Sequence, residues 1–299
     1  MSVEELEVLR KKARNISIIG TICSILVGIF VVITTKSAVF IFFCIVLGII
    51  ITTAIGSKPK RDFILSFKQA FVLKSLQSVF TDLNYRPESG LDPNIIGSTG
   101  MMYMGDRYTS NDYISGKYKN ISVVQADVHI EEEQETTDSD GDTRTYWVTL
   151  FRGKWLIFDF NKSFKANVQV RQKNFSNSML SRVNGVKYQK VMMEDGEFNK
   201  NFKVFAQDEH EAFYILTPSL MERIKRLDEK INSQLLFCFV DNKLHIGVQT
   251  NKDSFEPSIY KKIDEEKVIN EISEDIKLIT GFVDELNLDN DLFRKEVQV

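Results

Sequence analysis

Two uncharged apolar runs near the start constrain this chain more than anything else in it. Ile16 to Thr35 reads ISIIGTICSILVGIFVVITT and Ala38 to Ile55 reads AVFIFFCIVLGIIITTAI. Each has about the 20 residues that cross a hydrocarbon core as a helix. Only Lys36 and Ser37 separate them, so two such helices must turn back at once. A cleaved signal sequence fits the first run poorly: it is too long, no small-residue cleavage site follows, and a second span comes next. Neither run holds an acidic, basic or histidine side chain, which argues for an anchor over a proton relay or transport path. Gly20, Ser24 and Gly28 recur every four residues on one helix face. Such a face permits close helix approach, within the hairpin or between copies in a homo-oligomer.

The flanking charges orient the hairpin. Arg10, Lys11, Lys12 and Arg14 precede it, Lys58, Lys60 and Arg61 follow it, and the turn holds Lys36 alone. The positive-inside rule therefore predicts cytoplasmic termini and an outside turn. The organisation expected is a basic cytoplasmic tail over 1–15, a transmembrane helical hairpin over 16–56, a juxtamembrane helix and loop over 57–93, and a cytoplasmic α+β domain over 94–299 with mainly antiparallel sheet. The bilayer is then the first partner. Cys23, Cys44 and Cys238 have no C-x-x-C spacing, so neither a disulfide framework nor a zinc site is indicated. A net charge of −3 leaves no basic footprint for nucleic acid.

Past the hairpin, Phe63 to Leu83 keeps a helical period, with Lys68 and Lys74 placed for headgroup contact. DYISGKYKNISVVQADVHIEEE alternates as a long half-buried strand ending in an acidic tip. DSDGD in that tip lacks the glycine and glutamate positions of an EF-hand, so no metal is expected. TYWVTLF and KWLIFDF flank Arg152-Gly153, which predicts a tight hairpin with Tyr146 opposite Asp159. Thr217 and Pro218 open an amphipathic helix. Asp241-Asn242 or Asn242-Lys243 turns a second hairpin. A closing helix carries Val268, Ile272, Ile276, Ile279, Val283 and Leu286. The order lacks the βαβ alternation of doubly wound folds, hence α+β.

DYISGKYKNISVVQADVHIEEE, FRGKWLIFDFNKSFK, VMMEDGEFNKNFKVFAQDEHEAFYILTPSLMERI and FCFVDNKLHIGV occur in that order between Phe63 and Leu288. Together they resemble the bacterial domain-of-unknown-function family numbered 3137. The resemblance implies a bacterial cytoplasmic membrane protein, a neighbourhood that includes LemA-type membrane proteins, and no established activity or cofactor. The family tends to have Arg before the Tyr of YILTP; this chain has Phe213 there.

Phosphate-binding, dinucleotide, nucleophile-elbow and zinc-protease motifs are all missing from the sequence. The strongest polar set is Arg152, Asp159, Asn161, Asp195, Glu211 and Tyr214, expected as a cleft or docking surface. Two functions follow from these residues. One is a membrane-anchored binding or scaffold module. The other is a membrane-tethered enzyme using Asp159, Glu211 or His210 as acid or base, which requires two of them to converge in one pocket.

Overall fold

A computed structural model describes residues 1–35, 39–139, 141–160, 164–175, 182–183 and 186–288. The turn at Lys36-Ser37 and the predicted site residue Asn161 lie outside them. The chain divides into two compact units, Met1–Ser78 with Phe255–Glu274, and Val79–Ser254 with the chain from Asp275 onward.

The first unit is built on α1 (Val3–Thr35) and α2 (Val39–Phe67), two packed helices long and apolar enough to cross a membrane. Their contact runs through small residues. A Cβ on Gly20 would lie 2.4 Å from the Thr52 side chain, and one on Gly48 would lie 2.1 Å from Ser24 Oγ. Ser24 and Gly28 are buried here, so the expected small-residue face lies against the chain's own second helix. The tail before Ile16 is helical as well, and Arg10 is buried. Its guanidinium pairs with Glu7 at 2.8 Å and donates to the Ile259 carbonyl at 2.9 Å. Glu7 accepts from the Ile263 amide at 2.8 Å, and Ala13, Phe63 and Ile259 share an apolar cluster.

Two expectations for the segment after the spans change. Lys68 is not at a headgroup position: it is buried and paired with Glu256. The helical period stops earlier than predicted. A π-helical turn at Lys68–Val72 leads into α3 (Leu73–Gln77), and Thr81–Arg86 is already strand β1.

The second unit is an α+β arrangement on one open sheet. After β1 come α4 (Pro93–Gly97), β2 (Arg107–Tyr118), β3 (Ile121–Thr137), β4 (Thr143–Asp159) and β5 (Val168–Gln172). The two-residue strands β6 (Arg182–Val183) and β7 (Val186–Lys187) pair with each other. Then follow β8 (Gln189–Val191), α5 (Phe198–Asn201), β9 (Phe202–Ala206), α6 (Glu209–Ile215), α7 (Pro218–Lys230), β10 (Gln234–Val240) and β11 (Lys243–Gln249). Helix α8 (Glu265–Leu286) gives its second half, from Asp275, to this unit. The sheet order is β1-β2-β3-β4-β11-β10-β5-β9-β8, with every neighbouring pair antiparallel.

Both faces of the sheet are covered, as its two-sided apolar strands require. One face holds Ala126, Val128, Trp155, Ile157, Leu236 and Cys238, packed with Leu91, Ile96, Met101 and Met102. On the other, Phe158 meets Phe282 of α8 with ring centroids 6.4 Å apart. The expected N-cap is present: Thr217 Oγ1 accepts from the Leu220 amide, with Pro218 at the first helical position. The second hairpin turns at Asp241-Asn242, both with positive φ, the backbone that a two-residue turn demands.

The first hairpin is a correction. Arg152-Gly153 is not a turn; β4 runs straight through it and pairs with β3 from Val123↔Phe158 to Thr137↔Thr143. The chain reverses at the acidic tip instead. Gly153 answers a different need, because a Cβ there would sit 2.0 Å from the Val248 carbonyl oxygen of β11. The long strand preceding it also divides, into β2 and β3, at Lys119-Asn120, where both φ values are positive.

Candidate functional site

The register places Gln125 and Asp127 of β3 opposite Leu156 and Lys154 of β4. Lys154 is 1 % exposed and Asp127 3 %. A buried ammonium must be paired and fully hydrogen-bonded or it loses its proton. Lys154 Nζ lies 3.6 Å from Asp127 Oδ1 and 3.4 Å from Asp275 Oδ1, and it donates to Ser254 Oγ. Asp127 also accepts from the Ser254 amide and from Gln125 Nε2 at 3.2 Å. Burial pushes the Asp275 carboxyl up, against the pull of Lys154.

Asp112 sits alongside, in a β2 irregularity with φ +52°. One of its oxygens accepts from Tyr85 Oη at 2.5 Å and the other from Asn111 Nδ2 at 3.0 Å. Single carboxylate oxygens of Asp112, Asp127 and Asp253 lie within 4.8 Å of one another, an oxygen set suited to a hard divalent cation. The two inner carboxylates, however, are already committed to Tyr85, Asn111, Gln125, Ser254 and Lys154. The set has the chemistry of an internal polar network, with Lys154 standing where a cation would otherwise be needed.

A second buried polar cluster lies toward the other end of the sheet. Gln169 and Arg171 project from β5, and Cys238 of β10 faces Gln169 and, on its other side, His245 of β11. Arg171 Nη2 donates to the Gly100 carbonyl at 3.3 Å and to Gln169 Oε1 at 3.0 Å, while Gln169 Nε2 donates to the Thr99 carbonyl at 2.7 Å. The Arg171 Nε–H and the Tyr188 hydroxyl are both buried without a hydrogen-bond partner. Asn167 and Gln169 lie near that hydroxyl, neither at hydrogen-bonding geometry. Among the described residues no carboxylate pairs with Arg171.

Desolvation dominates the electrostatics there. It lowers the Arg171 guanidinium to about 10, raises the Tyr188 hydroxyl to about 12 and pushes the Cys238 thiol well up. It also lowers His245 to about 4, and the neutral imidazole accepts from Trp155 Nε1 at its Nδ1. Cys238 and His245 are therefore a neutral thiol facing a neutral imidazole, not an activated nucleophile pair.

The outer half of the β3–β4 hairpin forms a third feature. β2 begins opposite Glu131, and β11 pairs with β4 only from Lys154 onward. Glu132–Thr137 and Thr143–Val148 therefore pair only with each other. This ribbon carries Glu132, Glu133, Glu135, Asp138 and Asp142, together with exposed Tyr146 and Trp147. Arg107 stacks over the Trp147 ring at 3.7 Å.

The structure disperses the predicted polar set. Arg152 is half-buried in mid-β4, and its carbonyl accepts from the Asn251 amide at 2.9 Å. Asp159 ends the same strand, exposed and opposite Lys243; seven residues of extended chain put it roughly 23 Å from Arg152. Of the two partners expected for it, Tyr146 instead pairs across the ribbon with Gln134, donating to Oε1 at 3.1 Å, and the Ser163 hydroxyl lies outside the described residues. Asp195 caps the turn into α5, accepting from the Glu197 and Phe198 amides, and meets Lys225 Nζ at 3.1 Å. These bonds, the Phe198 amide first, hold its carboxyl below the usual range. Glu211 accepts from the Lys165 amide at 3.1 Å, and Tyr214 is exposed on α6.

Sequence reasoning missed Lys154, Asp127, Arg171 and Tyr188. A signal for two of them, Asp127 and Arg171, exists in the pattern Gln-x-charged within an apolar strand: Gln125-x-Asp127 and Gln169-x-Arg171 each hydrogen-bond across that spacing. Residues 149–288 match the family model described as "Protein of unknown function (DUF3137)", a segment that includes Lys154, Arg171, Tyr188, Cys238 and His245. Comparisons with curated proteins and with solved structures found no match.

Proposed function

We propose that the chain is a membrane-anchored binding or scaffold module, held by α1 and α2 in a bacterial cytoplasmic membrane with both termini in the cytoplasm. The observation that carries the anchor is the inverted character of the helix pair. Small residues line the α1–α2 contact, while Ile22, Leu26, Phe30, Ile33, Leu47 and Ile50 are exposed. Water would oppose such a continuous apolar exterior, and lipid would favour it. The flanking basic residues other than Arg10 support the orientation. Alkaline extraction of membranes checks the anchor: the chain stays in the pellet, and its release into the supernatant would refute the reading.

The binding role draws support from the projecting ribbon. It is acidic, carries exposed aromatics, and stands clear of the sheet's core. Its proposed partner is another membrane protein offering a basic surface, of the LemA type that the family resemblance names. Photocrosslinking from position 147 in intact membranes tests this. A discrete adduct that disappears when Glu132, Glu133 and Glu135 are changed to Gln supports the role; labelling that ignores those changes removes it. The acid–base alternative has weaker support, since Asp159 ends β4 in solvent and Glu211 is tied to the Lys165 amide.

A further inference from the structure

Arg171 presents an electrostatic problem that the described residues leave unsolved. Its side chain is 5 % exposed, and its hydrogen bonds go to one backbone carbonyl and one neutral amide oxygen. A buried guanidinium in this position needs a counter-charge, because carbonyl dipoles replace only part of its lost hydration. The two nearby groups able to become anions, Cys238 and Tyr188, are both held neutral by burial. Meanwhile the Nε–H of Arg171 and the hydroxyl of Tyr188, which is 4 % exposed, lie unpartnered. Buried donors without acceptors are rare enough in folded proteins to require an explanation. A water molecule would answer the hydrogen bonds and leave the charge. An anion answers both.

We propose that Arg171 and Tyr188 bind a small carboxylate, with the Arg171 Nε–H donating to one oxygen and the Tyr188 hydroxyl to the other. A monoanion suits the site, since one guanidinium neutralises one charge and a dianion would carry a second, uncompensated charge into an apolar core. The flanking surface is apolar, with Phe205 under the guanidinium at 5.7 Å and Met101, Met102 and Leu236 in the adjoining core. This favours a ligand with a short hydrocarbon end. The segment over the site, Thr99 and Gly100, is neither helix nor strand, and it supplies two of the carbonyls that fix the donors.

The test uses the full chain purified in detergent, with acetate as probe. Thermal melts in sodium acetate are compared with melts in sodium chloride at equal ionic strength. Acetate should raise the midpoint by a few degrees in a saturable manner, as a ligand of the folded state does, while chloride gives no saturable rise. Tyr188→Phe, which keeps the ring, should weaken the acetate response about tenfold, the usual effect of losing one hydrogen bond to a charged group. Arg171→Gln should abolish it. If Arg171→Gln does not fold, Tyr188→Phe decides alone. Coincident acetate and chloride curves, a saturable response to chloride, or an undiminished acetate response in Tyr188→Phe would each overturn the proposal.

Discussion

On β4, beside β3, a buried cation, Lys154, is met by two carboxylates and a hydroxyl. Toward the β5 end a second buried cation, Arg171, is met by neutral oxygens alone. Both project from antiparallel strands, both have a glutamine amide within hydrogen-bonding distance of the network, and both are almost wholly enclosed. The difference lies in what has been supplied. The first network carries its own counter-charge and so acts as an internal brace. The second is one charge short, so its free energy depends on something the described residues do not contain. A buried charge is thus structural or receptive according to its partners, and burial by itself does not distinguish the two.

The largest expected effect separates the clusters by deleting each cation. Lys154→Met leaves Asp127 enclosed without its ammonium and should cost about 3–5 kcal/mol of unfolding free energy, as breaking a buried pair does. Arg171→Met removes a charge that lacks a partner, and in chloride alone it should change stability by only about 1 kcal/mol, since the two lost hydrogen bonds offset the relieved desolvation. Urea melts of the two variants give the comparison directly; equal losses would dissolve the distinction.

The next effect comes from removing one hydroxyl from the network that carries its own counter-charge. Tyr85→Phe deletes the donor to Asp112 and should cost about 1.5–3 kcal/mol, the usual range for a hydrogen bond to a charged acceptor. Denaturation midpoints at pH 7 check it.

A pH effect of similar size belongs to the Arg171 side of the sheet. His245 has a folded pKa near 4, lowered by desolvation first and by Lys243 second, against an unfolded value of about 6.5. The unfolded chain therefore binds the proton more readily. The stability from keeping His245 neutral is present above about pH 6.5 and is lost as pH falls toward 4. By pH 5 the loss amounts to roughly 2 kcal/mol. Comparing urea melts at pH 7 and pH 5 for wild type and His245→Gln isolates it, because the carboxylates titrate in both.

Much of the frame was legible in the sequence, and the reasons differ by region. The N-terminal runs are readable because an apolar exterior is written directly into composition. The α7 cap at Thr217-Pro218 and the turn at Asp241-Asn242 are readable because their backbone geometry selects residue types locally. Arg152-Gly153 misled for the complementary reason. A glycine demanded by the close passage of β11 looks the same in one dimension as a glycine demanded by a turn. Lys154 and Arg171 escaped notice because a lone charge in an alternating strand normally points to water, and nothing adjacent in sequence tells of a second covering layer. Their partners Asp275 and Gly100 lie 121 and 71 residues away, so the site is a property of the register and not of any segment.

The smallest predicted effect sharpens the comparison most, because it uses the same chemical change in both clusters. Tyr188→Phe removes a buried hydroxyl that has no partner, so no hydrogen bond is lost and a desolvated polar group is deleted. With chloride as the only anion, the variant should match wild type within about 0.5 kcal/mol or exceed it slightly, whereas Tyr85→Phe falls clearly below. In acetate the order should spread further at position 188, since wild type gains from the bound carboxylate and the variant gains less. The quantity to measure is therefore the interaction between substitution and anion in a four-way set of melts. If Tyr188→Phe loses as much as Tyr85→Phe in chloride, the hydroxyl already has a partner, and the second cluster is as self-contained as the first.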